Sequence, residues 1–167
     1  DAFTAATPQR LVDTRDGTGG QQGKLIATGQ LNVPVHGQTL SVSGNSAQVP
    51  LSATAAALNV TIVNPERAGF ATVWPCSAER PLASNLNFVS GQVVANNVIA
   101  PIGDQGSVCF YTNVPSDIIV DIAGYFSGED GNQFVGSTPK RYIDTRSSLG
   151  PAPGAEPVQV EPSLPSV

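Results

Sequence analysis

The sequence predicts an all-β protein, an antiparallel β-sandwich resembling a jelly roll, with an irregular β-barrel as the alternative. Three observations lead there. Gly (17) and Pro (14) are plentiful and charged residues make up only 13% of 167, a composition suited to short strands joined by turns. Apolar and polar residues alternate with period two, most clearly where Leu58, Val60 and Ile62 interleave with Asn59 and Thr61. No stretch carries a convincing helical period.

Along the chain, Arg10 to Arg15 alternates, with Val12 and Thr14 on one face and Leu11, Asp13 and Arg15 on the other. Residues 3–15 as a whole are expected to form an edge or opening strand. A Gly-rich loop follows at 16–20. Leu31–Val35 and Thr39–Ser43 read as two strands around His36-Gly37. Ala55–Val63 is the clearest strand; Asn64-Pro65 ends it, and Phe70–Trp74 returns as its expected hairpin partner. Ser84–Val89 and Val93–Ile102 read as another pair around Ser90-Gly91. Val108–Thr112 follows the turn at 103–106, and Asp117–Phe126 closes the module with Ile118, Val120 and Ile122 on one face. The total is about ten short strands.

The bulk numbers exclude several functions. A net charge of −5 and only two lysines, Lys24 and Lys140, leave no phosphate-binding surface for nucleic acid. No run of about 18 apolar residues offers a membrane span, and the opening residues do not read as a signal peptide. The start at Asp1 is expected for a mature or trimmed product.

The chain repeats itself. Phe3, Pro8, Arg10, Asp13, Thr14 and Arg15 recur in register as Phe134, Pro139, Arg141, Asp144, Thr145 and Arg146, and Gly19 recurs as Gly150. We therefore expect residues 1–127 to be a complete module, 128–133 a polar junction, and 134–167 the opening strand and loop of a truncated second copy. Such a half-copy cannot bury a core of its own. It must pack on the first module, await further sequence, or associate with another chain.

Cys76 and Cys109 are 33 residues apart, a spacing that fits neither CxxC chemistry nor a zinc knuckle. One structural disulfide is expected, and with it an oxidising compartment outside the cytoplasm.

Taken together, these residues resemble an accessory repeat module of secreted, multidomain actinobacterial proteins. The resemblance rests on Pro8-x-Arg10-x-x-Asp13-Thr14-Arg15, Leu58-Asn59-Val60-Thr61, Ala83 to Phe88, Val94-Ala95-Asn96, Gly106-x-Val108-Cys109 and Asp121 to Phe126. It covers residues 3–126, and 134 to about 150 as the start of a second copy. It implies export, a disulfide and a β-fold, in a module that accompanies hydrolases, peptidases and surface proteins.

Few residues invite chemistry. Asp13 and Arg15, two apart on a strand, can pair or grip one polar ligand together. Their recurrence within a whole framework favours a structural role for Arg10, Asp13, Arg15 and for Arg141, Asp144, Arg146. The loop from Asp13 to Gly19, with Asp16, has oxygens for calcium but not the spacing of an EF-hand. Asp104, Asp117 and Asp121 form a second loose set. No metal site is expected, and calcium is the one cofactor with any support. Asn59, Asn85, Asn87, Asn96 and Asn97 fall in expected interior strands, where Asn is disfavoured. They can form a buried amide network, or join Trp74 and Tyr111 in a sugar-binding face. The sole histidine, His36, sits at a turn, and neither a Gly-x-Ser-x-Gly elbow nor HExxH is present.

The sequence therefore points to a secreted or cell-surface, non-catalytic β-module for attachment or assembly. Glycan or cell-envelope binding and strand-mediated self-association are the two routes; a structural subunit of an extracellular assembly is an alternative, and a glycoside hydrolase or esterase a distant one.

Overall fold

The structure, a computed structural model, describes residues 2–26 and 29–128. The expected second copy at 134–167, with Arg141, Asp144 and Arg146, lies outside the described residues, as does the junction beyond Gly128. The described chain is all-β, with ten strands: β1 (Ala2–Asp13), β2 (Leu31–Pro34), β3 (Thr39–Val42), β4 (Asn45–Gln48), β5 (Ala53–Val63), β6 (Gly69–Pro75), β7 (Leu86–Phe88), β8 (Val93–Pro101), β9 (Ser107–Thr112) and β10 (Asp117–Ser127).

Two four-stranded antiparallel sheets pack face to face. The first has the order β1-β10-β5-β8, the second β2-β9-β6-β7, and β3-β4 is a separate hairpin. With that hairpin set aside, this is the strand order of a jelly roll, two interleaved Greek keys. Among the described residues each sheet keeps two open edges, so the barrel alternative does not hold.

Period two sets the faces. Ile118, Val120 and Ile122 of β10 and Leu58, Val60 and Ile62 of β5 are all essentially inaccessible. They meet Val33, Ala71, Val73, Val108 and Phe110 of the second sheet in one core. Burial of that apolar surface is the main driving force for the fold.

Strand partners depart from the expected hairpins. β5 pairs with β10 and β8, whereas β6 pairs with β7 and β9. The turn after Asn64 is thus an arch that changes sheet. β7 and β8 likewise belong to opposite sheets, and β2 pairs with β9 rather than β3. The physical reason is burial: a hairpin keeps both strands in one layer, while an arch places consecutive apolar faces opposite each other across the core.

β1 is an edge strand, as expected, and begins well before Arg10. Its alternation breaks near its end, where the pairing with β10 shifts register between Arg10 and Val12. Leu11, Val12, Asp13 and Thr14 are consequently all buried, and Arg15 sits in the turn after the strand.

Candidate functional site

The Asp13-Thr14-Arg15 motif is a clamp. Asp13 is 1% exposed. Arg15 donates Nε to its Oδ1 at 2.9 Å and Nη2 to its Oδ2 at 2.6 Å. The Arg15 backbone N–H adds a bond to Oδ1 at 3.1 Å, and Arg10 Nη1 donates to Oδ2 at 3.0 Å. These bonds, led by the Arg15 side chain, hold the Asp13 carboxyl down at about 2. Arg10 also reaches β10, donating Nε to Asp121 Oδ1 at 2.9 Å.

Thr14 completes the attachment. Its hydroxyl donates to Asp117 Oδ1 and accepts from the Ile118 N–H, both at 3.0 Å. Its own N–H donates to the Ile118 carbonyl at 3.1 Å. The loop then closes on itself: Asp13 N–H donates to the Thr18 carbonyl and Thr18 N–H to Asp16 Oδ1. At Gly19, φ is +80° and a Cβ would collide with the Leu11 carbonyl, so only glycine fits.

A second arrangement lies on the outer face of the β2-β9-β6-β7 sheet. Phe70, Thr72 and Trp74 alternate there with the core residues Ala71 and Val73. The segment 76–85 folds over this face and is pinned at its start by the Cys76–Cys109 disulfide. Thr72 Oγ1 donates to the Ala83 carbonyl at 2.7 Å, and Trp74 Nε1 to the Ala78 carbonyl at 3.1 Å. The Arg80 guanidinium stacks 3.6 Å above the Tyr111 ring, and Tyr111 leans on Phe70 with centroids 6.2 Å apart.

Beside that stack is an open groove of about 300 Å³ lined by Phe70, Arg80, Pro81, Leu82, Ser84 and Asn87, with Ala83 at its back. Ser84 Oγ donates to Asn87 Oδ1 at 2.8 Å. The Asn87 NH2 is left to donate. Phe70 offers an aromatic surface, and Leu82 is fully exposed at the rim.

No family model matches this chain, and no curated protein matches it.

The structure separates the residues singled out in the sequence. Asn87 lines the groove and Tyr111 adjoins it. Trp74 does not present a face: it is 4% exposed under segment 76–85, so it takes no part in the groove. Asn85 acts as a backbone extension, its Oδ1 accepting the Val73 N–H at 2.8 Å and its N–H donating to the Ala71 carbonyl. Asp13 and Arg15 grip each other on the other sheet. Of the five asparagines expected in interior strands, only Asn59 lies on one; β7 and β8, which carry Asn87, Asn96 and Asn97, are edges.

Four of the carboxylates considered for calcium are engaged, Asp16 by the Thr18 N–H. Arginines hold Asp13 and Asp121, and Thr14 holds Asp117. Among the described residues, no three His, Cys, Asp or Glu side chains stand close enough to hold a metal ion. His36 Nε2 donates to the Ala53 carbonyl at 2.9 Å. Phe70, Arg80 and Leu82 were not legible as groove residues; the available signal was a charge-free run at 81–103, directly after Arg80.

Proposed function

We propose that this chain is an exported, non-catalytic attachment module that binds a glycan of the cell envelope or of a surface outside the cell. The observation that carries this reading is the groove beside the Arg80–Tyr111 stack. Its chemistry suits a saccharide: the Phe70 ring packs against C–H faces, while Asn87, Ser84 and Arg80 meet hydroxyls. Jelly-roll sandwiches include lectin domains, which supports the reading by analogy of fold alone. The disulfide is compatible with an extracellular location. The reading requires no cofactor and gives no role to nucleic acid or to membrane insertion.

A second reading, assembly through strands, is favoured by the recurrence of Phe3 and of the clamp residues Arg10, Asp13, Thr14 and Arg15 as Phe134, Arg141, Asp144, Thr145 and Arg146. A strand with those side chains carries the groups that fasten β1 to β10.

A glycan array probed with the full chain tests the first reading. Binding to a defined set of cell-wall or plant polysaccharides is expected, weakened at least roughly tenfold by Asn87→Ala or Arg80→Ala. The array showing no binding, or binding that both variants retain in full, would remove the groove from consideration.

A further inference from the structure

The four sheet edges are not protected equally. β1 carries Pro8 and Arg10 and two register shifts against β10. β2 is four residues long and ends in Pro34, and β7 is three residues long. Short strands, proline, charge and bulges are the usual devices that keep an edge from pairing with another chain. β8 lacks them. It runs nine residues in unbroken register with β5, from Val93↔Val63 to Pro101↔Ala55, with proline only at its last position. No charged residue occurs anywhere in 81–103. Val93 and Ile99 are 65% and 49% exposed on its outward face.

The outer face of the same sheet bears a polar row. Arg10 stands opposite Asp121, Asp121 opposite Asn59, and Asn59 opposite Asn97, one residue from each of the four strands. The row ends at the open edge on Asn97, the middle residue of β8. Behind it, Asn96 Nδ2 donates across the sandwich to the Asn85 carbonyl at 2.6 Å. That bond commits the inward side chain to this chain, and among the described residues no strand pairs with the outer edge of β8.

We propose that β8 is a pairing edge for a second copy of this chain, antiparallel and centred on Asn97. Antiparallel pairing about that residue sets Val93 opposite Pro101 and Ala95 opposite Ile99, and sets Asn97 beside its own counterpart. The two sheets become one sheet of eight strands, and the polar row continues through both asparagine amides. A two-fold axis brings each nearby side chain to its copy, so any charge there repels itself. β8 is the long edge without one. Each copy carries a net charge of −5, so copies repel elsewhere, and salt that screens this repulsion favours the pair.

The inference rests on the assembly reading, at a strand other than the one the repeated motif suggests, and is independent of the groove. A single-strand interface falls at the weak end, under ~1,200 Å², so pairing is expected only at high protein concentration. Light scattering of the full chain over rising concentration should show mass climbing towards twice the monomer, further at higher salt. Asn97→Lys sets two like charges on the axis and should raise the dissociation constant roughly tenfold. Gln9→Lys on β1 should not change it. Asn97→Cys gives a second readout that does not depend on tolerating a lysine: a disulfide-linked dimer is expected on mild oxidation. If the parent associates and Asn97→Lys associates equally well, β8 is not the edge, while assembly by another strand stands. If the parent stays monomeric at every concentration and Asn97→Cys yields no linked dimer, both the edge and the assembly reading fall.

Discussion

Arg15 grips Asp13 from two residues away, with Nε on one carboxylate oxygen at 2.9 Å and Nη2 on the other at 2.6 Å. The carboxylate is buried while the Arg15 side chain remains 47% exposed. The turn after β1 is therefore fastened by an anion that cannot reach water and a cation that can. Removing the anion leaves a hole in the clamp and two solvated guanidiniums. Asp13→Ala should destabilise the module by about 2 kcal/mol, the lower part of the range for charged hydrogen bonds, because both arginines regain water. Urea unfolding of the variant beside the parent measures this.

The same carboxylate makes stability depend on acid. Its folded-state value, about 2, lies below the ordinary 3.8, chiefly through the hydrogen bonds from Arg15. A group depressed in the folded state stabilises fully above its unfolded value and loses that contribution as pH falls through the folded one. The urea midpoint should therefore hold steady near pH 6 and drop between about 4 and 2. Asp16, also lowered, first by the Thr18 backbone N–H, acts in the same direction. Asp13→Asn should flatten the drop; an unchanged profile in that variant would show that other groups cause it.

The Cys76–Cys109 bond closes a loop of 33 residues. In the chain-entropy model such a loop is worth roughly 3–4 kcal/mol. Reduction, or Cys76→Ser with Cys109→Ser, should lower the unfolding free energy by that amount, measured by urea unfolding. It should also free segment 76–85 from the outer face, exposing Trp74. A red shift of Trp74 fluorescence before global unfolding is the expected sign.

Gly124 lies where the pairing of β10 with β5 shifts register. A Cβ there would stand 2.5 Å from the Thr4 carbonyl oxygen and 2.6 Å from the Phe3 ring. The Phe3 ring covers that space and packs on Phe126, with centroids 5.0 Å apart. Gly124→Val should push the start of β1 off the sheet at a cost of about 1–3 kcal/mol. Faster amide exchange at Thr4 and Ala5, with Ile118 still protected, would locate the damage.

Much of the fold was legible. Alternation in β5 and β10 put Leu58, Val60, Ile62, Ile118, Val120 and Ile122 on the core face, where they lie. Alternation failed at Leu11 to Thr14 because a register shift turns β1, and only the partner strand reveals such a shift. β4 escaped notice because Asn45 to Gln48 is polar and barely buried. The groove was less legible still. Tyr111 and Asn87 were readable as polar or aromatic groups in strands, but their partners Phe70, Arg80 and Leu82 come from other segments. Trp74 looked available because an indole in a strand gives no sign of the loop that covers it.

By itself the sequence determined local matters: where the strands other than β4 lie, which face of β5 and β10 is apolar, that two cysteines bond, and that one motif is written twice. These follow from interactions between near neighbours, where backbone sterics and a period of two decide. Tertiary structure alone decided which sheet each strand joins, that Trp74 is covered while Tyr111 carries Arg80, and that β8 is an edge among the described strands. Those outcomes depend on how two apolar faces find each other across the core, an energy shared among residues far apart in the chain and written in no single stretch of it.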